Sequence, residues 1–125
     1  KDIYSLMILS QKVRCVFGSR YHFISPFSSI WAFGNSLFTW GFNYFHSTNL
    51  IDALCCAKAF YKKDINQNKL MSLQFDIDIE IASHLIKKVN DFKTVKISYK
   101  RRGVNEGKKL SIKDSWAILI RILKN

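Results

Sequence analysis

Apolar residues recur along this chain with two different periods, and each change of period marks an element. Ile3, Leu6, Met7 and Leu9 keep helical spacing and predict a short amphipathic helix that ends by Gln11-Lys12. Val13 to Phe17 is rich in β-formers, and Gly18-Ser19-Arg20-Tyr21 is expected to stop that strand. Phe27 to Phe45 mixes Trp31, Phe33, Leu37, Phe38, Trp40, Phe42, Tyr44 and Phe45 with Ser28, Ser29, Asn35, Ser36, Thr39 and Asn43, and reads as an aromatic helix. A polar loop follows over Ser47–Asp52, then a short buried strand over Cys55–Tyr61 with Lys58 inside it. Phe75 to Ile81 alternates as a half-buried strand would, but Ala82 to Val89 continues with Leu85, Ile86 and Val89 on one side of a helix. Asn90-Asp91 makes a turn, and Thr94 to Lys100 alternates as a strand. Ser111-x-x-Asp114 forms a capping box for a last helix, whose Trp116, Ile118, Leu119, Ile120, Ile122 and Leu123 cover more than one stripe.

The chain has 125 residues, enough for one domain with one modest core. Ten Phe, five Tyr and three Trp argue against disorder, and the start at Lys1-Asp2 reads as a piece of something longer. No internal repeat stands out. The three cysteines, Cys15, Cys55 and Cys56, are odd in number and lack Cys-x-x-Cys spacing, so they are expected to be reduced and to face the cytosol. The apolar run over Lys1–Lys12 is too short for a signal peptide.

Charge is unevenly placed. The net charge is +11, and Lys87 to Lys113 alone holds ten Lys/Arg against Asp91 and Glu106, a local +8. Such a cluster attracts nucleic acid, anionic lipid or phosphorylated small molecules. Between Arg20 and Asp52, by contrast, there is no charged residue. Gly34-Asn35, Gly41 and the further polar side chains make 27–45 a poor spanning helix; an interfacial helix and a core helix both remain open.

The chemistry is expected from Tyr99 to Asp114, where Lys100, Arg101, Arg102, Lys108, Lys109 and Lys113 surround one Glu106. Gly103 and Gly107 free the backbone, so basic side chains and N–H groups can converge on an anion. A solvated basic hairpin is the plainer alternative. Arg20, at the carboxyl end of a strand, would face the ligand crevice of an open α/β sheet or sit in an ordinary surface turn. Lys58, in an apolar strand, needs a partner or an anion unless it snorkels out from a sheet edge. Glu80 either sits in the first turn of its helix, favoured by the dipole, or belongs to a site.

Four motifs appear in an order that resembles the catalytic domain of glycosyltransferase family 2, most closely its polyprenyl-phosphate hexosyltransferases. They are Gly18-Ser19-Arg20, Gly34-Asn35, Asp52 with Lys58-x-Phe60, and Tyr99-x-x-Arg102 with Glu106-Gly107-Lys108-Lys109. Departures are Trp31 where many relatives have arginine, Cys56-Ala57 in place of Gly-Tyr, and Arg101 in place of proline. The resemblance also places a helix start near Ile77. It implies an α/β fold, with residues 1–125 forming the C-terminal part of a GT-A type domain whose nucleotide-binding half is absent. It further implies hexose transfer from a nucleotide-diphosphate sugar to a polyprenyl phosphate at the cytoplasmic face of a membrane, with Mg²⁺ or Mn²⁺ in the full-length enzyme. Asp52 takes the catalytic place by that resemblance, and Arg20, Asn35, Lys58, Arg102, Lys108 and Lys109 the acceptor- and phosphate-binding places.

The family's metal-binding Asp-x-Asp has no counterpart here; Asp76-Ile77-Asp78 has the spacing but follows the acceptor segment. This chain alone is therefore expected to be inactive, since a leaving diphosphate needs neutralising. No nucleic-acid partner is expected under this reading. A small basic nucleic-acid-binding module and a non-catalytic membrane-surface module are the rival classes.

Overall fold

Strand β1, Cys15–Ser19, runs through the middle of a three-stranded sheet, and every one of its residues is buried. The computed structural model describes residues 5–7, 11–21, 30–66, 70–71, 76–89, 91–99 and 112–124. Strand β2, Lys58–Phe60, pairs antiparallel with Cys15–Phe17 on one side of β1. Strand β3, Phe92–Lys96, pairs parallel over the whole of Cys15–Ser19 on the other side. Three longer helices stand among the described residues: α1, Ile30–His46, between β1 and β2; α2, Ile77–Lys88, between β2 and β3; and α3, Ile112–Lys124, after β3, with a short 3-10 turn over Lys62–Asp64. Mixed helices and a small mixed sheet make this an α/β arrangement.

Burial on both faces explains the unbroken apolar run in β1. Cys15 and Phe17 turn toward the larger core, where Phe42 of α1, Ile79, Ala82 and Leu85 of α2, and Ile118 and Ile122 of α3 meet. Phe17 meets Phe92 of β3 edge-on, with ring centroids 5.6 Å apart. Val16 turns the other way, toward Leu6 and Val13, with Ala57, Ala59 and Val95 packed around them. Ser5–Met7 is helical, which places Leu6 over that second face.

Several boundaries differ from the sequence expectation. Strand β1 continues through Gly18-Ser19 because these residues pair with Val95 and Lys96 of β3. The buried strand expected over Cys55–Tyr61 shrinks to Lys58–Phe60, a half-buried edge strand, since only three residues find partners on β1. The strand expected over Thr94–Lys100 is observed at Phe92–Lys96, its register set by Cys15 facing Phe92. In α2 the helix does begin at Ile77, and Ile79, Ala82 and Leu85 line up toward the core. The basic segment, with Arg102, Lys108 and Lys109, lies outside the described residues.

Gly18 has a packing reason. A Cβ on it would stand 2.8 Å from the Ala57 carbonyl oxygen and 2.9 Å from the Ala57 Cβ, distances that side chains do not tolerate. Its N–H donates to that same carbonyl at 2.7 Å. The close approach seats the 52–57 segment against the end of β1, which brings Asp52 to Arg20.

Candidate functional site

The site begins with three polar side chains on α1. Asn35, Thr39 and Asn43 follow at spacings of four, so they lie on one face of the helix. Each takes hold of the loop that follows. Asn43 donates from Nδ2 to the Leu50 carbonyl at 2.8 Å and accepts from the Leu50 N–H at 2.9 Å, as a neighbouring strand would. Thr39 Oγ1 accepts from the Ala53 N–H at 3.3 Å. At the helix end Ser47 takes a left-handed conformation, φ 48°, and the Thr48 N–H reaches back to the Asn43 carbonyl at 3.1 Å, a Schellman-type closure. With the loop fixed in this way, Asp52 is carried inward and its residue is almost wholly buried.

Arg20 meets it there. The Asp52 Oδ2 accepts from the Arg20 backbone N–H at 3.1 Å and from Nε at 2.7 Å, and Oδ1 accepts from Nη2 at 2.7 Å. Asn35 closes the triangle: its Oδ1 accepts from Arg20 Nη2 at 2.7 Å, and its Nδ2 donates to Asp52 Oδ1 at 3.3 Å. Four donors thus engage the two oxygens of Asp52, which is the full acceptor capacity of a carboxylate. The guanidinium plane is also flanked by aromatic rings, with Cζ 5.6 Å from the Tyr21 centroid and 5.5 Å from that of Tyr99.

Burial alone would lower the Arg20 pKa, but the hydrogen bonds and charge of Asp52 outweigh it, with smaller contributions from Tyr21 and Cys55, and the net shift is upward. The guanidinium is therefore a permanent cation held in one orientation. About a fifth of the side chain remains exposed (21 %), and among the described residues Nη1 donates to none. A bound, charged fork whose Nη1 has no acceptor among the described residues can receive an oxyanion.

Lys58 is placed differently. Its side chain is only 3 % exposed, although β2 is an edge strand. It does not snorkel; its ammonium donates to Asp78 Oδ1 in the first turn of α2 at 3.1 Å and to the Cys55 carbonyl. Cys55 in turn donates its N–H to the Asp52 carbonyl at 3.3 Å, so Lys58 braces the turn that carries Asp52 from behind. Glu80, the other acid of that helix, is buried and accepts from the Met71 N–H through both carboxylate oxygens, at 3.0 and 3.1 Å.

Of the residues singled out by sequence, Arg20, Asn35 and Asp52 come together, Lys58 stands one turn away with an internal partner, and Arg102, Lys108 and Lys109 lie outside the described residues. Sequence reasoning did not find the pairing of Asp78 with Lys58, or Tyr21 and Tyr99 as the walls beside Arg20. The signal for Tyr99 was present, since it heads the Tyr-x-x-Arg motif; Asp78 was hidden in the alternating run before α2. Among the described residues no group of three or more His, Cys, Asp or Glu could hold a metal ion. Compared with protein-family models, with curated proteins and with solved structures, the chain matches none.

Proposed function

We propose that this chain is the acceptor side of a GT-A type glycosyltransferase family 2 domain, which moves a hexose from a nucleotide-diphosphate sugar to a polyprenyl phosphate at the cytoplasmic face of a membrane. The observation that carries the reading is the meeting of Arg20, Asn35 and Asp52, residues of three separate motifs, at one charged cluster. A polyprenyl phosphate is anionic at neutral pH, so its oxygen attacks the sugar's anomeric carbon with little help from a base. The bond from that carbon to the diphosphate breaks, and the nucleoside diphosphate leaves with the electron pair. What the chain contributes under this reading is position and charge.

Arg20 holds the acceptor phosphate through Nη1. Asp52, with both oxygens engaged by Arg20 and Asn35, acts here as a positioning residue for that guanidinium. Lys58 has its charge matched by Asp78 and serves the same turn. Arg102, Lys108 and Lys109 add positive charge from the basic segment.

The test is calorimetric titration of the purified chain with farnesyl phosphate, farnesol and a single-stranded oligonucleotide. Farnesyl phosphate is expected to bind and farnesol not. Arg20→Gln should weaken binding roughly 10- to 150-fold, the worth of a hydrogen bond between charged groups. Tight, salt-sensitive oligonucleotide binding without farnesyl phosphate binding would replace this reading with that of a nucleic-acid module.

A further inference from the structure

Helix α1 carries no charged residue and turns Asn35, Thr39 and Asn43 inward, yet its outer face is apolar, which a helix with one wet side has no reason to be. Its inner face carries Ala32, Asn35, Thr39 and Phe42, and is spent on the core and on the loop that holds Asp52. Its outer face carries Phe33, Leu37, Trp40 and Tyr44, spaced so that they form one stripe, with Phe45 beside it. All five are more than half exposed, Trp40 at 69 % and Tyr44 at 78 %.

Helix α3 packs against α1 and repeats the arrangement. Ile118 and Ile122 face the core, while Trp116, Leu119, Ile120 and Leu123 are exposed, Trp116 at 64 %. Two neighbouring helices therefore show large apolar and aromatic side chains to the outside. A lone exposed leucine needs no explanation; nine such side chains on two packed helices do.

Charge identifies what covers them. The stripe on α1 lies in a stretch without a charged residue from Tyr21 to Ile51, and the net charge of the chain is +11. Lys87 and Lys88 are exposed at the end of α2, the other helix that α3 packs on, and Lys93 and Lys96 are exposed on β3. A second copy of this chain would bring the same excess of positive charge to the contact. An anionic bilayer surface supplies the opposite charge together with an apolar layer, and Trp and Tyr rings favour its headgroup boundary. No helix among the described residues is long and apolar enough to cross a membrane, so the contact is one of lying on the surface.

We infer that the outer faces of α1 and α3 form the surface by which this protein lies on an anionic membrane. The inference deepens the proposed function by naming the face that meets the membrane. Asn35 is on the opposite side of α1 from the Trp40 stripe, so the Arg20 cluster stands about one helix diameter, ~10 Å, behind the docked surface. An isoprenoid phosphate has that distance to cross from the headgroup layer. The docking stands on the helices alone and rests on the proposed function only for this orientation.

The experiment is flotation of the purified chain with vesicles of phosphatidylcholine, with and without phosphatidylglycerol and containing no polyprenyl phosphate, so that failure of docking is separable from failure of the phosphate site. Binding is expected to the anionic vesicles, weakening as salt is raised, with a blue shift of tryptophan fluorescence. The double variants Leu37→Ser/Trp40→Ser and Trp116→Ser/Leu123→Ser should each lose roughly tenfold or more in partition. Met71→Ser, at a residue 77 % exposed but on neither helix, should bind as the parent does. Circular dichroism checks that each variant keeps its helices; if either double variant does not, brominated lipids with the unaltered protein provide the readout, since they should quench its tryptophan emission. Vesicle binding unchanged in folded double variants, no quenching, or a dimer in sedimentation that those substitutions dissociate while vesicles are ignored would each overturn the inference.

Discussion

Replacing Asp78 by alanine should cost more than replacing the lysine it neutralises. The Lys58 side chain is 3 % exposed, so without Asp78 its ammonium keeps, among the described residues, the Cys55 carbonyl as its hydrogen-bond partner. Breaking a buried pair from one side typically costs about 3–5 kcal/mol. Asp78 is 24 % exposed, so some water can enter in its place, which brings the expected cost down to about 2–4 kcal/mol. In Lys58→Met the apolar stem is preserved and the remaining carboxylate can turn to solvent, which limits the loss to about 1–2 kcal/mol. The double variant removes both charges and should cost nearly what Lys58→Met alone does, giving a coupling energy close to the whole cost of Asp78→Ala, about 2–4 kcal/mol. Urea unfolding of the four proteins, followed by circular dichroism, measures this directly, and against a total stability of about 5–15 kcal/mol the differences are easily resolved. A cost below about 1 kcal/mol for Asp78→Ala, or losses that simply add, would show that Lys58 finds water or another partner and does not brace the Asp52 turn.

Three other predictions follow from particular contacts. Gly18→Ala should destabilise by about 1–3 kcal/mol in the same unfolding assay, because its Cβ would meet backbone of Ala57 that cannot move without parting β1 from the 52–57 segment. Cys56 is exposed, whereas Cys15 and Cys55 are buried; burial pushes the Cys15 thiol up to about 12 and raises that of Cys55 as well, so Ellman's reagent should label one thiol quickly and the other two only on unfolding. Burial, and then the charge of Lys87, holds the His46 pKa below its ordinary 6.5, so the unfolded chain takes up that proton first as pH falls. Stability should therefore be lost from pH 6.5 downward until the folded-state value is passed, and His46→Gln should flatten that part of the urea midpoint profile.

Local pattern made some of this molecule legible and hid the rest for definite reasons. The aromatic helix could be read because its period is long and unbroken, and it is observed as Ile30–His46. The start of α2 could not be read from periodicity alone. Ile77, Ile79 and Ile81 alternate as a strand does, and only burial of Ile79, Ala82 and Leu85 against the core decides for the helix. Strand ends failed where partners distant in sequence set them: β1 runs on to Ser19 because β3 is there to pair with it, and β2 stops early because β1 offers it three residues. Asn35 and Asp52 were marked by motif order, but their contact with Arg20 depends on Gly18, Thr39 and Asn43 holding a loop in place, which no spacing expresses. The role of Lys58 was half legible. That it needed a partner followed from its apolar strand, whereas Asp78 as that partner follows only from how α2 meets the sheet.

Under the proposed function the Arg20 guanidinium, held by Asp52 and Asn35, receives a phosphate oxygen on Nη1. Nitrogen-15 NMR of the arginine side chains during titration with farnesyl phosphate tests it most directly, with an Arg20→Lys sample to assign the signal. The Arg20 Nη signals are expected to shift and saturate along the same curve as binding, while the Arg20 Nε–H stays protected by its bond to Asp52, and Arg20→Lys is expected to keep only part of the affinity because the fork is lost. Saturable binding that leaves the Arg20 signals unmoved would contradict it.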